Sequence, residues 1–385
     1  MKNLSSLNKY FWRYKTLFGL GVLFIILTNL FAVYTPKIVK LAMDLIVNMA
    51  SSANGKQGAS AIFKELQADF GYDFSTWFDF SSPQAINDSL VKMSLCLGAL
   101  YLVIYIIKGV FLFYTRQTLI VMSRYIEYDL KNEIFDQYQK LDTAFYKRNN
   151  TGDLMNRISE DVSKVRMYLG PGVMYTINLV FLFVLTVWFM WRESWQLTLW
   201  VLAPMPVMSI IIYYVSDLIN RKSDTVQKQQ SHLSTLAQEA FSGIRVLKAY
   251  SREESFRENF INQSEEYKNR QLSRVKVDAL FMPVMTLLVG LSTVIAVYVG
   301  GIMTMNREIS VGQIAEFVMY VNMLTWPFAA VGWVTSINQQ ASASMQRINE
   351  FLHITPDISN RATVSTPLKG AIRFDDVTFV YPDSG

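Results

Sequence analysis

The stretch QEAFSGIRVLKAYSREESFRENF, Gln238 to Phe260, lies inside a run from Ser216 to Lys276 that has no proline and a single glycine, Gly243. Within this run Leu233, Leu236, Ala240 and Phe241 recur at helical spacing, as do Phe256 and Phe260. The run also carries Arg221, Lys222, Lys228, Arg245, Lys248, Arg252, Arg257, Lys268, Arg270, Arg274 and Lys276, so it is far too charged to enter hydrocarbon. It reads as two helices of about thirty residues that project about 45 Å at 1.5 Å per residue and then return. An apolar run stands on each side of it. The succession of apolar run, long basic helical hairpin and apolar run decides the fold.

Working outward, six stretches are apolar over the roughly 20 residues needed to cross a bilayer: Leu17–Val39, Val91–Phe113, Val173–Trp191, Leu197–Val215, Ala279–Met303 and Ile314–Ile337. The composition agrees, with 51% hydrophobic and only 17% charged residues over 385 positions, against about 25% charge in a typical soluble domain. Pro36, Pro204, Pro206, Pro283 and Pro327 lie in these spans and are expected as kinks, because neighbouring helices can satisfy the freed carbonyls. Pro171, just before the third span, is expected in its first helical turn.

The connections alternate. Residues 115–169 and 216–276 are basic, whereas the remaining links are the short turns at Arg192 and Asn306 or the acidic loop 48–90. The positive-inside rule then places both basic segments and both termini in the cytoplasm. The net charge of +5 is this asymmetry, with no surface for nucleic acid implied. Residues 115–169 also read as a helical hairpin, broken at NNTGD (Asn149–Asp153) by a turn-and-cap signal. Both turning points carry apolar residues, Phe145 and Tyr146 at one and Phe241, Ile244, Val246 and Leu247 at the other, so a soluble partner is expected there.

The ends differ from the middle. LNKYFWRYK within residues 1–16 mixes aromatic and basic residues and suits a short helix in the headgroup plane. The apolar run behind it lacks a small-x-small cleavage site and reads as a retained span rather than a leader. In the 48–90 loop, Ser60–Gly71 reads as a helix over the outer mouth. After Leu352 the segment 353–370 has linker composition, and Ala371–Tyr381 alternates as one or two short strands with a phase shift at Asp375–Asp376. Cys96 has no partner for a disulfide, and no residues stand at metal-ligand spacing around His232 or His353.

Several of these segments together resemble one family, the six-helix exporters of the ATP-binding cassette class. FYKRNNTGDLMNRISEDVSKVR (Phe145–Arg166) is similar to the family's first intracellular loop, and Gln238–Phe260 to its second. SVGQIAEFVMYVNMLTWPF (Ser310–Phe328) resembles the sixth span, ASASMQRINEFL (Ala341–Leu352) the helix leading into the nucleotide-binding domain, and IRFDDVTFVYP (Ile372–Pro382) that domain's first strands. The resemblance implies an all-α polytopic membrane domain over residues 17–352, its six helices extended into the cytoplasm as hairpins, with the β start of a truncated α/β ATPase domain at 371–385.

What the family does follows as expectation. A second exporter subunit, alike or different, completes the transporter in the bilayer, and an amphipathic or lipid substrate is carried outward from a bacterial inner membrane. Coupling helices near Thr143–Leu154 and Leu233–Gly243 sit on the ATPase cassettes. The residues carried over for coupling are Phe145, Tyr146, Thr151, Gly152, Asp153, Leu154, Arg157, Glu239, Gly243, Arg245 and Lys248. Tyr381 matches the adenine-stacking aromatic. ATP and Mg²⁺ belong to a longer parent, because no G-x-x-x-x-G-K-[ST] occurs and this polypeptide is not expected to hydrolyse ATP by itself. Lys108, a basic residue well inside the second span, together with Trp326 and Trp333, is expected to line a substrate cavity, with snorkelling and plain packing as the competing readings. A non-transporting regulator on the same scaffold is the alternative function. An ion-gradient transporter is disfavoured, because no Asp or Glu lies in the middle of a span.

Overall fold

A computed structural model describes residues 2–50, 83–356 and 370–380. The expected helix at Ser60–Gly71, most of the 353–370 linker and Tyr381 lie outside the described residues. Helix α1 is Asn8–Arg13, entered through a tight 3₁₀ turn at Lys2–Leu7. It is followed by α2 (Lys15–Ala50), α3 (Pro83–Lys140), α4 (Thr143–Arg148), α5 (Thr151–Glu193), α6 (Trp195–Ser242), α7 (Ile244–Ala249), α8 (Glu253–Met305) and α9 (Val311–Leu352). Among the described residues the six long helices α2, α3, α5, α6, α8 and α9 are apolar and long enough to cross a membrane. Four of them continue well past their apolar part, and the short helices α4 and α7 sit where they reverse. That end is called the hairpin end here. The other, where α5 meets α6 and α8 meets α9, is the turn end.

Local chemistry sets the boundaries. Asp142 caps α4 by accepting the Phe145 backbone N–H (2.9 Å), and Asn150 caps α5 by accepting that of Gly152 (2.9 Å). At the turn end Ser194 accepts the N–H of Leu197 (3.3 Å). Ser310 and Gln313 form a reciprocal capping box on α9, with Ser310 Oγ accepting from Gln313 N at 3.2 Å and Gln313 Oε1 accepting from Ser310 N at 2.7 Å.

Prolines behave in two ways. Pro204 follows Ala203, where α6 is interrupted between Trp195–Leu202 and Pro204–Ser242, and occupies a first helical turn. Pro171 does not start a helix as expected. It lies inside α5, which is continuous, within a π-helical turn at Tyr168–Gly172. The wider turn makes room for the ring, which in a regular α turn would meet the carbonyl four residues back.

Packing divides the helices into two groups. α2 lies against α3, α5 and α9, while α6 lies along α8, and α8 joins the groups by packing on α9 and on Trp195–Leu202. One buried cluster at the hairpin end unites Leu7, Tyr10, Leu119, Met122, Ile126, Val162, Val165, Met345, Ile348 and Phe351. A second, at the turn end, unites Val33, Met190, Leu197, Val201, Ala296, Phe317, Tyr320 and Leu324. The N-terminal segment is fastened to α3: Tyr10 donates to Glu133, Lys9 pairs with Glu133 (2.6 Å), Arg13 pairs with Asp129 (3.0 Å) and Tyr14 donates to Asp129 (2.9 Å).

Among the described residues, Gly370–Val380 forms no strand and stays exposed. One or two strands have no ladder partner on which to settle. Asp376 takes a left-handed backbone (φ 46°), which puts the turn where the alternation changes phase.

Gly312 marks the tightest approach of α9 to α2. A Cβ there would run into the backbone carbonyl of Lys40 and lie 2.6 Å from Asp44 Oδ1, whereas one on Gly290 would meet nothing within 4 Å. Gly312→Ala is therefore expected to cost about 1–3 kcal/mol by overpacking. Gly290→Ala should be neutral or slightly stabilising, by under about 1 kcal/mol. Thermal unfolding of the two variants in one detergent compares them.

Candidate functional site

The two turning points were expected to present similar apolar tips, but they differ. At the first, Phe145 is half-buried and turned back on its own chain, with ring centres 5.4 Å from Tyr146 and 6.2 Å from Phe351. Phe351 is fully buried near the end of α9 and also meets Tyr138 at 4.8 Å and the Arg157 guanidinium at 5.6 Å. The hydroxyl of Tyr146 donates to the carbonyl of Tyr138 (2.5 Å), and that of Tyr138 to the carbonyl of Leu154, which is buried. Burial pushes the Tyr138 hydroxyl up to about 12, so it remains a donor at any working pH. Arg157 pairs with Asp153 (2.8 Å), one helical turn before it. Thr151, Gly152 and Asp153 stay exposed.

A second fastening lies further along the same helices. Asp161 of α5 is buried and accepts from the Ser344 hydroxyl (2.8 Å) and from Arg347, with Nε at 2.9 Å, both on α9. Burial pushes the Asp161 carboxyl up, but Arg347 and Ser344 outweigh it and hold the group below the usual carboxylate range. Gln137 of α3 donates to the Ile354 carbonyl (2.6 Å), just past the end of α9. The first tip and the end of α9 are thus one packed body. Sequence reading named Phe145, Tyr146, Leu154 and Arg157 but missed Phe351, Asp161 and Arg347. A usable signal existed, since Ala341, Met345, Ile348 and Phe351 are spaced as one buried helical face.

The second tip is open. The chain reverses beside Phe241, Ile244, Val246 and Leu247 as expected, but the short helix at the tip is Ile244–Ala249, later than Leu233–Gly243, because Leu233 and Leu236 are buried inside α6, which continues to Ser242. The chain turns over 243–252, with α7 at its end and none of α7's side chains buried. Glu239, Arg245 and Lys248 are exposed. Phe241 and Tyr250 are 79% and 76% exposed, although both are large and aromatic. Gly243 ends α6 by donating its N–H to the Glu239 carbonyl (2.8 Å).

The three candidate cavity residues do not share one pocket. Lys108 is half-buried on α3, its ammonium 4.9 Å from the centre of the Tyr105 ring on the same helix. Trp333 packs edge-on against Tyr175 of α5 (5.2 Å) and lines a groove of about 300 Å³ with Lys164, Met167, Ser336 and Gln340. Trp326, seven residues before it on α9, is 57% exposed. A smaller cavity of about 70 Å³ lies between α2, α3 and α5, lined by Thr28, Leu112, Arg116, Tyr175 and Asn178. Lys108, Leu112 and Arg116 follow at four-residue intervals on one face of α3, so that face passes this cavity.

Six apolar helices, four of them drawn out into two hairpins with a short helix at each tip, define a transport-type membrane domain. The chain belongs to the ABC transporter transmembrane region family, whose model matches residues 18–328. It is a multi-pass membrane protein. It is 28% identical over 283 residues to the multidrug resistance-like ATP-binding protein MdlA of Escherichia coli (strain K12), covering 73% of this chain and 47% of that protein. A probable multidrug resistance ABC transporter ATP-binding/permease protein, YheI of Bacillus subtilis (strain 168), is 29% identical over 66% of this chain and 44% of its own length. The ATP-dependent lipid A-core flippase of Syntrophus aciditrophicus (strain SB) is 26% identical over 74% of this chain and 47% of its own length. The chain therefore spans about half the length of these relatives.

Membership of this family implies ATP binding by the transporter. The sequence has no phosphate-cradling glycine loop, and among the described residues no three His, Cys, Asp or Glu side chains gather as metal ligands.

Two outcomes test the closed tip. Phe351→Ala leaves a cavity beneath Phe145 and Tyr138 and is expected to cost about 3–5 kcal/mol. It should also raise hydrogen exchange over 143–154 while leaving 243–252 unchanged. Asp161→Asn should cost about 1–2 kcal/mol at neutral pH, less than a fully buried pair because Arg347 is nearly half exposed. The Asp161 contribution is complete above the ordinary carboxylate range and fades as pH falls through its lowered value. Thermal midpoints measured from neutral to acid pH should accordingly fall in the native protein, with the Asp161 part of that fall missing from Asp161→Asn.

Proposed function

We propose that this chain is the membrane half of an ATP-driven exporter or flippase subunit that moves an amphipathic or lipid-like substrate outward by alternating access. The observation that carries the reading is the contrast between the two tips. The α4 tip is packed onto the end of α9, the helix that leads toward the following domain, so a push on that domain reaches α3, α5 and α9 as one unit. The α7 tip keeps Phe241, Val246 and Tyr250 exposed beside Arg245 and Lys248, which is the surface of an arm made to dock elsewhere. Its partner in this reading is the ATPase cassette of a second subunit.

The hairpin end then lies in the cytoplasm, with both termini, and the turn end outside. The bacterial inner membrane is the expected setting. ATP and Mg²⁺ bind on the cassettes and supply the closing force. This chain's residues transmit it: Phe145, Tyr146, Leu154 and Arg157 through the closed tip, and Glu239, Gly243, Arg245 and Lys248 through the open one. Two packings of stiff helices against each other give alternating access.

The charged and aromatic residues along these helices support the substrate class. Arg116 shares a cavity with Tyr175, on which Trp333 packs, and Lys108 lies two turns along the same face of α3, with Trp326 exposed elsewhere on α9. Together they suit a molecule with an anionic head and an apolar body. That the relatives' printed names include multidrug resistance and lipid A-core flippase supports an amphipathic cargo.

The test uses the full-length gene product in proteoliposomes. ATP hydrolysis should rise with an anionic amphiphile, and Lys108→Glu should cut that rise about tenfold, the effect of losing about 1.4 kcal/mol of binding. Arg245→Glu with Lys248→Glu should abolish the rise altogether. A full-length protein whose hydrolysis ignores every amphiphile tried, and which moves none across the bilayer, overturns the reading.

A further inference from the structure

At the turn end, α2, α5 and α9 are joined by polar contacts in a setting that is otherwise apolar. Asp44 of α2 accepts from the Ser310 hydroxyl (2.7 Å) and the Gly312 N–H (2.8 Å) at the start of α9. Lys40 of α2 pairs with Glu193 of α5 (3.0 Å), and Gln313 of α9 donates to the same carboxylate (3.1 Å). One turn deeper, Glu316 of α9 is fully buried. The hydroxyl of Tyr320, also fully buried, lies 2.9 Å from Glu316 Oε1 and 3.1 Å from the Val33 carbonyl oxygen of α2. The other carboxyl oxygen, Oε2, is buried with no donor among the described residues.

The hydrogen-bond count at Tyr320 is decisive. A phenol carries one hydrogen, while an ionised carboxylate and a carbonyl both only accept. If Glu316 were ionised, that one hydrogen would have to serve two acceptors, and a charge would sit in the packed interior with an oxygen unserved. If Glu316 carries a proton, its O–H donates to the phenol oxygen and the phenol donates to Val33, so each close contact has one hydrogen.

The surrounding charges agree. From α2 the group is faced by Lys37 and Lys40, and from α5 by Glu193, while Tyr34 lies toward Tyr320 and Asp44 is held by Ser310 and Gly312. α8 contributes only apolar or small residues there, including Ala296, Gly300 and Met303. Lys40 is held by Glu193, and Lys37 lies 5.8 Å over the Tyr34 ring, so neither lysine is an undivided counter-ion for Glu316.

We propose that Glu316 is a proton-binding site, occupied while α2, α5 and α9 are packed as they are here and emptied into water when their turn ends separate. Nothing but a proton is exchanged, and it passes between the carboxyl and solvent. The site couples the opening of this end to pH. Only the direction of release, toward the outside, rests on the exporter reading.

The experiment uses the full-length protein in lipid, with infrared difference spectra recorded between neutral and alkaline pH. The expected result is the carbonyl-stretch band of a protonated carboxylic acid at neutral pH, absent in Glu316→Gln and shifted in Tyr320→Phe, which removes its hydrogen-bond partner. Spin labels on the turn ends of α2 and α9 should move apart in the native protein as pH rises and keep their spacing in Glu316→Gln. An unchanged band in Glu316→Gln, or no such band in the native protein, overturns the proposal. So does equal pH-driven separation in Glu316→Gln and the native protein. If Glu316→Gln does not fold, the band shift in Tyr320→Phe decides alone, and no shift overturns it. The band reports the proton whether or not the preparation transports, so a failure of the exporter reading leaves this test readable.

Discussion

A bilayer interior offers no water to a peptide group, so each span has to close its own backbone hydrogen bonds as helix. That constraint shapes this protein beyond the membrane as well. Once α3, α5, α6 and α8 are helical, nothing in their polar parts stops them until Asp142, Asn150 or Gly243 is reached. The arms are stiff because they are uninterrupted continuations of spans. A proline inside α5 is absorbed in a wider turn without ending the helix.

Stiff arms are useful only if their ends are held differently. The α4 tip is fastened to α9 by tilted rings packed around Phe351 and by the buried Asp161 with Arg347 and Ser344. Among the described residues the α7 tip packs on the hairpin that carries it, and none of the α7 side chains is buried. At the turn end the helices meet again through Asp44, Lys40, Glu193 and Glu316, whose polar contacts tie α2, α5 and α9 together. At the hairpin end the α4 tip is held by aromatic packing and by Asp161 with Arg347, whereas at the turn end Asp44, Glu193 and Glu316 make polar contacts beside an apolar cluster.

Much of this was legible in the chain. The six apolar runs, the basic hairpins, the cap at Asn150 and the turn at Asp376 are local signals, each carried by residues adjacent or one helical turn apart. The family motifs pointed correctly to the class, and Phe145 and Arg157 do belong to a packed tip. Less legible were features made by residues far apart in sequence. Asp161 and Arg347 are 186 positions apart, and Asp44 and Gly312 are 268 apart. Glu316 looked unremarkable because it lies near the end of a span, where a carboxylate ordinarily reaches water.

The sequence by itself determined which segments are helices, which of them are apolar enough to enter a bilayer, and where most of them end. Those properties depend on side-chain periodicity, capping and charge within one or two turns. Only the tertiary structure decided that one tip is closed and the other open, that Pro171 sits inside a helix, and that Glu316 is enclosed beside Tyr320. These depend on which helix faces which. That choice is set by the shapes of whole buried faces, such as the close approach at Gly312, and no short stretch of chain encodes it.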